Sequence, residues 1–122
     1  MIILLLDDND AILSLACTMI EQIVGLENTT IVTGRNGKEG LQLLEAMDPL
    51  PDLIISNFRM PAMDGITFFG AIRSNPRWQH IRLVMMSAIT TTEVRRAAAA
   101  YNVEAFLDKP FRLDDFRNLL AY

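Results

Sequence analysis

The sequence predicts an α/β domain with a doubly wound parallel sheet of five strands and five helices. Two observations lead to this prediction: short apolar runs of strand length recur along the chain, and a helical pattern of apolar residues follows each run. Strict alternation of strands and helices is typical of a parallel sheet covered by helices on both faces. The chain has 122 residues, of which 51% are hydrophobic, and we therefore expect one domain over residues 1–122.

Each predicted strand is a short apolar run bounded by turn-forming residues. A strand that is buried on both faces reads as a continuous apolar run, because neither face has to carry polar side chains. The predicted strands are, in chain order, Ile2–Leu6, Thr29–Thr33, Leu53–Ser56, Leu83–Ser87 and Ala105–Leu107.

Each predicted helix carries apolar residues at a spacing of about 3.6, which places them on the face that packs against the sheet. The fourth helix is the exception in composition, since the stretch Thr90–Tyr101 is rich in alanine. The apolar residues of the others are Ile12, Leu15, Ala16, Met19, Ile20 and Ile23 in the first helix, Leu41 and Leu44 in the second, Ile66, Phe69 and Ile72 in the third, and Leu113, Phe116 and Leu120 in the fifth.

Two of the predicted helices carry start signals. Asn36 precedes Glu39 by three residues, and Thr90 precedes Glu93 by three. At this spacing the cap side chain accepts from a free backbone amide, and the glutamate can accept from the amide of the cap residue. We therefore expect the second and fourth helices to begin at these caps.

Charge and composition exclude several classes of function. A net charge of −4 and a pI near 4.8 oppose sequence-independent binding to nucleic acid or to an anionic membrane surface. The apolar stretch Met1–Leu6 is too short to span a bilayer and has no basic region before it. Cys17 is the only cysteine and falls on the apolar stripe of the first helix, which favours a buried, inert thiol. The sequence therefore predicts a cytoplasmic protein with no direct contact to nucleic acid or membrane.

Polar residues follow four of the five predicted strands. Asp7 and Asp8 follow the first, Asn57 the third, Ser87 ends the fourth, and Lys109 follows the fifth. In an open parallel sheet, ligands and chemistry collect at the carboxyl ends of the strands, so these side chains are the candidate site. Taken one at a time each has an ordinary structural explanation, but four such strand ends together favour a functional site.

The pair Asp7 and Asp8 is a candidate magnesium site. Two adjacent carboxylates repel each other by roughly 4 kcal/mol at ~4 Å and an effective dielectric of ~20, and a hard divalent cation relieves that repulsion. Mg²⁺ takes oxygen ligands and commonly uses one or two carboxylates. For the pair alone, acids that favour the dipole of the following helix are an equally good interpretation, and this is the simpler one for Asp10.

Lys109 and Ser87 complete a set of groups suited to a phosphoryl oxygen. Lys109 precedes Pro110, so the turn after the fifth strand is sharp and its peptide bond can be cis. An amine that faces carboxylates can neutralise them and hold a phosphoryl oxygen, while a serine hydroxyl can donate to the same oxygen.

The chain resembles the receiver domain of two-component response regulators, such as the single-domain chemotaxis regulators. The resemblance covers essentially the whole chain and implies a flavodoxin-like (βα)5 fold. The matching segments are Leu4-Leu5-Leu6-Asp7-Asp8, Asn57-Phe58-Arg59-Met60-Pro61-Ala62-Met63-Asp64-Gly65, Met86-Ser87-Ala88 and Phe106-Leu107-Asp108-Lys109-Pro110-Phe111.

The resemblance implies a role for each site residue. Asp7 and Asp8 are implied as the acids that bind Mg²⁺, Asp8 directly and Asp7 through water, with the backbone carbonyl of Arg59 as a further ligand. Ser87 and Lys109 are implied as the switch hydroxyl and the lysine of the family. Phe106 takes the place of the aromatic switch residue, and it lacks a phenolic hydroxyl.

Asn57 departs from the family pattern, which has an aspartate that attacks the phosphorus of a phosphohistidine. An amide nitrogen is not a useful nucleophile, and the amide oxygen carries no full negative charge, so no stable aspartyl phosphate can form. The amide is nearly isosteric with a carboxylate, so we expect the fold to persist. Loss of one charge predicts weaker Mg²⁺ binding. Two origins fit: a natural, phosphorylation-independent receiver and an engineered phosphorylation-null variant.

The resemblance also implies the partners. They are a histidine kinase or phosphotransfer protein and a downstream target that docks on the face formed by the fourth helix, the fifth strand and the fifth helix. Tyr101, Phe106, Arg95 and Arg96 are the candidate contacts there. We expect a non-enzymatic domain that signals by docking.

Two other classes of function remain open at this point. The first is a phosphatase of the haloacid dehalogenase type, in which Asp8 is the nucleophile and Ser87 and Lys109 end further strands. That scheme normally needs a second acidic pair and a cap. The other is a flavin-binding module, which only the fold class supports.

Overall fold

The computed structural model describes residues 1–88 and 91–120 and shows five strands and five α-helices in alternation. The strands are β1 Ile2–Leu6, β2 Thr30–Gly34, β3 Leu53–Asn57, β4 Arg82–Ser87 and β5 Val103–Asp108. The helices are α1 Asp10–Val24, α2 Gly37–Ala46, α3 Gly65–Arg73, α4 Thr92–Ala99 and α5 Leu113–Leu119, with a short 3₁₀ turn at Leu26–Asn28.

The strands form one parallel sheet in the order β2-β1-β3-β4-β5. The sequence order reverses direction at β1, so the chain winds toward both edges of the sheet. The predicted doubly wound α/β fold is therefore confirmed. Across the described part of the chain, no helix is long and apolar enough to cross a membrane.

Two hydrophobic clusters pack on the two faces of the sheet. Because side chains alternate along a strand, Ile3 and Leu5 of β1 join the cluster under α1 and α5, while Leu4 and Leu6 join the cluster under α2, α3 and α4. All four side chains are fully buried. Burying a leucine or isoleucine in this way stabilises the fold by about 1.5–3 kcal/mol, so the apolar run of β1 is a principal source of stability.

Several element boundaries differ from the sequence prediction. Strand β2 begins one residue later than predicted, and β5 extends beyond Ala105–Leu107 at both ends. Helix α4 is capped by Thr91, whose hydroxyl accepts from the amide of Val94 at 3.2 Å. The prediction of a cap at Thr90 falls on a residue outside the described ranges. The cap predicted for α2 is confirmed, since the Asn36 side chain accepts from the amide of Glu39 at 2.9 Å.

The register of the sheet aligns the carboxyl ends of its strands. Leu6 pairs with Ser56, Asn57 with Met86, and Ser87 with Asp108. The residues after these positions therefore emerge side by side at one edge. Backbone hydrogen bonds continue the alignment past the strands, because the amide of Lys109 donates to the carbonyl of Ser87 at 2.9 Å.

Candidate functional site

The structure brings together four of the residues that the sequence placed in the site. Asn57, Ser87 and Lys109 line a cleft of about 90 Å³, together with Arg59 and Ala88. Asp7 contacts this group through its ion pair with Lys109. The side chains come from the ends of β1, β3, β4 and β5, as the edge of a parallel sheet requires.

A buried ion pair anchors this group. The Lys109 ammonium donates to Asp7 Oδ2 at 2.7 Å, and the amide of Asn9 donates to Asp7 Oδ1 at 3.0 Å. The Asp7 side chain has no exposed surface, and that of Lys109 is 15% exposed. A buried carboxylate is tolerated only when it is paired and hydrogen-bonded, so Lys109 and Asn9 account for the burial of Asp7. The Lys109–Pro110 peptide bond is cis, as the sequence allows.

Asp8 lies beside the buried pair but faces solvent. It lines a wider, open cavity of about 610 Å³ with Arg59 and Asp64. Its backbone carbonyl accepts from the guanidinium of Arg35 at 2.8 Å, and the same guanidinium forms an ion pair with Asp10. The two adjacent acids therefore have different environments, one fully buried and one at the mouth of the site.

Asn57 is directed inward at the end of β3. Its residue surface is 7% exposed, and its side-chain amide nitrogen donates to the backbone carbonyl of Arg59 at 2.7 Å. Since a carbonyl oxygen can only accept, the nitrogen rather than the oxygen of the amide must face it. The backbone carbonyl of Asn57 accepts from the Ser56 hydroxyl at 3.0 Å.

The loop between β3 and α3 is tied down at several points. The amide of Gly65 donates to the carbonyl of Phe58 at 2.8 Å, and the amide of Gly37 in α2 donates to the carbonyl of Met63 at 3.0 Å. Asp64 caps α3 by accepting from the amide of Thr67 at 2.8 Å. A side chain at position 65 would collide with the backbone carbonyl at the end of β3, so only glycine fits there.

The candidate partner contacts lie around β5. The guanidinium of Arg95 sits 4.7 Å from the centroid of the half-buried Phe106 ring and 3.8 Å from a carboxylate oxygen of Asp108. Arg95 is therefore more than a solvated charge, because it covers the aromatic residue in a cation–π contact. Arg96 is exposed. Tyr101 is half-buried and lies in the turn after α4, whereas the sequence predicted it at the end of the helix.

Sequence reasoning missed three polar residues of this region. Asn9 caps α1, with its side-chain oxygen accepting from Ala11 and Ile12, and its own amide bonds Asp7. An asparagine directly before a helical pattern is a preferred cap, so this signal was present in the sequence. Asp64, an aspartate just before the pattern of the third helix, carried the same signal. The contacts of Arg35 with residues about 25 positions away carry none.

Cys17 is half-buried in α1. Burial and the nearby charge of Glu21 raise the pKa of its thiol above the ordinary value. A thiol with a raised pKa is less often ionised and so less reactive. The side chain is less buried than the sequence predicted.

The site offers oxygen ligands of the kind that Mg²⁺ prefers, but they already have partners. Both Asp7 carboxylate oxygens and the Arg59 carbonyl accept hydrogen bonds from protein groups. Within residues 1–88 and 91–120, no three His, Cys, Asp or Glu side chains cluster in a way that could hold a metal. A cation here would depend on two acids and would share oxygens that already accept hydrogen bonds.

Comparison with known proteins gives a consistent result. A family model for the response regulator receiver domain matches residues 3–121. The sensor histidine kinase CheAY of Helicobacter pylori is 29% identical over 82 residues, which cover 67% of this chain and 10% of that protein. The matched segment therefore spans about a tenth of that relative's length.

Solved structures share the fold. The chemotaxis protein CheY4 of Vibrio cholerae superimposes with a TM-score of 0.85 at 23% identity, covering 98% of this chain and 95% of that one. The receiver domain of the sensor histidine kinase PA1611 of Pseudomonas aeruginosa, solved with a magnesium ion coordinated in its active site cleft, gives a TM-score of 0.83 at 19% identity, covering 98% and 93%. These similarities give no support to the alternative of a haloacid dehalogenase-type phosphatase.

Proposed function

Because this chain belongs to the family of response regulator receiver domains, we propose that it signals in a two-component system by docking, without being phosphorylated at position 57. The single observation that carries the proposal is the inward-facing Asn57 at the end of β3, in the cleft that Ser87 and Lys109 also line. The family places its phosphoacceptor aspartate at this position.

Asparagine removes the chemistry of phosphoryl transfer. In that reaction a carboxylate oxygen forms a bond to phosphorus while the bond from phosphorus to the histidine nitrogen of the donor breaks. The Asn57 amide has no oxygen that can take this role. Lys109 and Ser87 would still stabilise a phosphoryl group held there, so the site keeps its electrostatic parts and lacks its nucleophile.

We further propose that Mg²⁺ binds this site, and binds it weakly. The proposed ligands are Asp7, Asp8, the Asn57 side-chain oxygen and the Arg59 carbonyl. The Pseudomonas aeruginosa receiver domain with magnesium in its active site cleft supports the proposal of a metal in this cleft. With a neutral residue at position 57 the site has one negative charge fewer. We expect an affinity at least about tenfold below that of the Asn57→Asp variant.

The proposed docking face consists of α4, β5 and α5. Phe106 lies on it beneath Arg95, and Tyr101 and Arg96 lie nearby. Its partners are a histidine kinase or phosphotransfer protein and a downstream target protein. We assign the domain a cytoplasmic, regulatory and non-enzymatic role, with no direct contact to nucleic acid or membrane, in keeping with its net charge of −4.

Phosphotransfer from a protein donor tests the proposal. A phosphotransfer domain carrying ³²P-phosphohistidine, chosen because it labels the Asn57→Asp variant, is mixed with the chain and Mg²⁺. We expect the label to move to the variant and to stay on the donor when the unmodified chain is offered. Label on the chain itself that an Asn57→Ala variant does not acquire would overturn the proposal.

A further inference from the structure

We propose that the Asn57 side-chain amide takes the place of a cation in holding the Arg59 carbonyl, so that the loop between β3 and α3 is ordered without metal. A divalent cation at this carbonyl then competes with the Asn57 amide for the same oxygen. The inference rests on the proposed function in one respect: with aspartate at position 57, a metal ion and a phosphoryl group would both bind at that residue.

The geometry of the hydrogen bond is the first argument. The Asn57 nitrogen and the Arg59 oxygen are 2.7 Å apart, which is at the short end of the range for N–H···O bonds. The residue Asn57 is 7% exposed and the contact is part-buried, although Arg59 itself is an exposed residue, so water competes little for the donating amide. In such a setting a hydrogen bond is stronger than in water, and a carbonyl without a partner is costly.

The second argument is the contrast with aspartate at the same position. An ionised carboxylate only accepts hydrogen bonds, so it cannot donate to the Arg59 carbonyl and would face it oxygen to oxygen. A cation between the two oxygens relieves this conflict, since it accepts electron density from both. The residue at position 57 therefore decides whether the loop needs a cation, and the amide of asparagine removes that need.

The third argument is that the carboxylate of Asp7, the neighbouring proposed metal ligand, also accepts hydrogen bonds from protein groups. Asp7 accepts from Lys109 at 2.7 Å and from the amide of Asn9 at 3.0 Å. Of the groups proposed as metal ligands, the Asp7 carboxylate and the Arg59 carbonyl already have donors directed at them. The site is thus closed by its own hydrogen bonds, with Asp8 at the solvent side.

The loop gives convenient reporters of its own order. The amide of Gly65 donates to Phe58 within the loop, and the amide of Gly37 donates to Met63 at its far end. Both amides exchange with solvent only when the loop opens, so their exchange rates measure its stability. Amides of the interior strand β1, which pairs with a strand on each side, report on global unfolding and serve as the internal control; that of Leu5 is an example.

The experiment is amide hydrogen exchange on the unmodified chain, Asn57→Asp and Asn57→Ala, each with EDTA and with millimolar Mg²⁺. For the unmodified chain we expect the exchange of Gly65 and Gly37 to be the same in both conditions, within about twofold. For Asn57→Asp we expect exchange about tenfold faster in EDTA and restored protection with Mg²⁺. For Asn57→Ala we expect faster exchange in EDTA, because alanine cannot donate.

Either of two results would overturn the inference. One is loop protection in the unmodified chain that depends on Mg²⁺, and the other is an Asn57→Asp loop as well protected in EDTA as that of the unmodified chain. A change confined to these reporters, with β1 unchanged, separates loop opening from loss of the fold. Failure here is distinguishable from failure of the proposed function, because exchange does not depend on whether phosphoryl reaches position 57.

Discussion

Among the arginines of the described residues, Arg73 is the one whose replacement should destabilise the domain most. The half-buried guanidinium of Arg73, at the end of α3, donates to four backbone carbonyls: Tyr101 at 2.6 Å, Gln79 and Ile81 at 2.7 Å, and Asn102 at 3.2 Å. It thereby joins the loop before β4 to the turn before β5. That turn positions the proposed docking face, so the same contact links stability to function.

The expected loss in the free energy of unfolding depends on which of the four carbonyls water can reach once the guanidinium is removed. After truncation to Arg73→Met, water can reach the carbonyls of the exposed Gln79 and Asn102, while those of Tyr101 and Ile81 lie in part-buried contacts. A hydrogen bond to a charged donor contributes about 1.5–3 kcal/mol. Two such bonds at the lower value give a loss of about 3 kcal/mol, because methionine keeps most of the apolar contact.

Urea unfolding followed by circular dichroism measures this loss. With a slope of about 1.5 kcal/mol per molar urea, the midpoint should fall by about 2 M, and the thermal midpoint by about 10 °C. Arg77→Met is the matched control, because Arg77 and Glu45 form an exposed ion pair at 3.4 Å, which should contribute at most about 0.5 kcal/mol. A loss below about 1 kcal/mol for Arg73→Met, or an equal loss for both variants, would refute the reasoning.

Three further variants test other contacts. Gly65→Ala should cost about 2–3 kcal/mol in urea unfolding, because the added methyl group meets the backbone carbonyl at the end of β3; a neutral result would refute the close approach. Lys109→Met should cost about 3 kcal/mol by leaving buried Asp7 unpaired, and adding Asp7→Asn should recover part of it; no recovery in the double variant would contradict this. The hydrogen bonds from Arg82 lower the pKa of Glu104 in the folded state. The pair therefore stabilises the protein fully at pH values above the unfolded-state pKa of about 4.3. This stabilisation is lost as the pH falls through the lower pKa of the folded state. Glu104→Gln should therefore lose about 0.5 kcal/mol at pH 7 and nothing in strong acid, and a loss that is independent of pH would contradict the assignment.

The fold and the position of the site could be predicted from sequence because they depend on local patterns. Apolar runs of strand length fixed β1, β3 and β4 closely, and the edge of a parallel sheet then brought Asp7, Ser87 and Lys109 together. The ends of β5 were missed for a physical reason. Glu104 and Asp108 belong to this edge strand and are exposed, so an apolar run marks only its middle.

The specific contacts could not be predicted, because they join distant segments through backbone carbonyls. The carbonyl that Arg73 contacts at Tyr101 lies 28 residues further along the chain, and no side-chain pattern encodes such a partner. The hydrogen bond from Asn57 to Arg59 is local but depends on the path of the loop. Adjacent threonines are equally good caps by type, which is why a sequence pattern cannot choose between Thr91 and its neighbour.

The account rests on Asn57 being the missing nucleophile of a site that is otherwise complete. The most direct test offers acetyl phosphate and Mg²⁺ to the unmodified chain, to Asn57→Asp and to Asn57→Ala, and reads the intact mass of each protein. We predict that only Asn57→Asp gains the mass of one phosphoryl group. A phosphoryl group on the unmodified chain, or an Asn57→Asp protein that stays unmodified, would contradict the account.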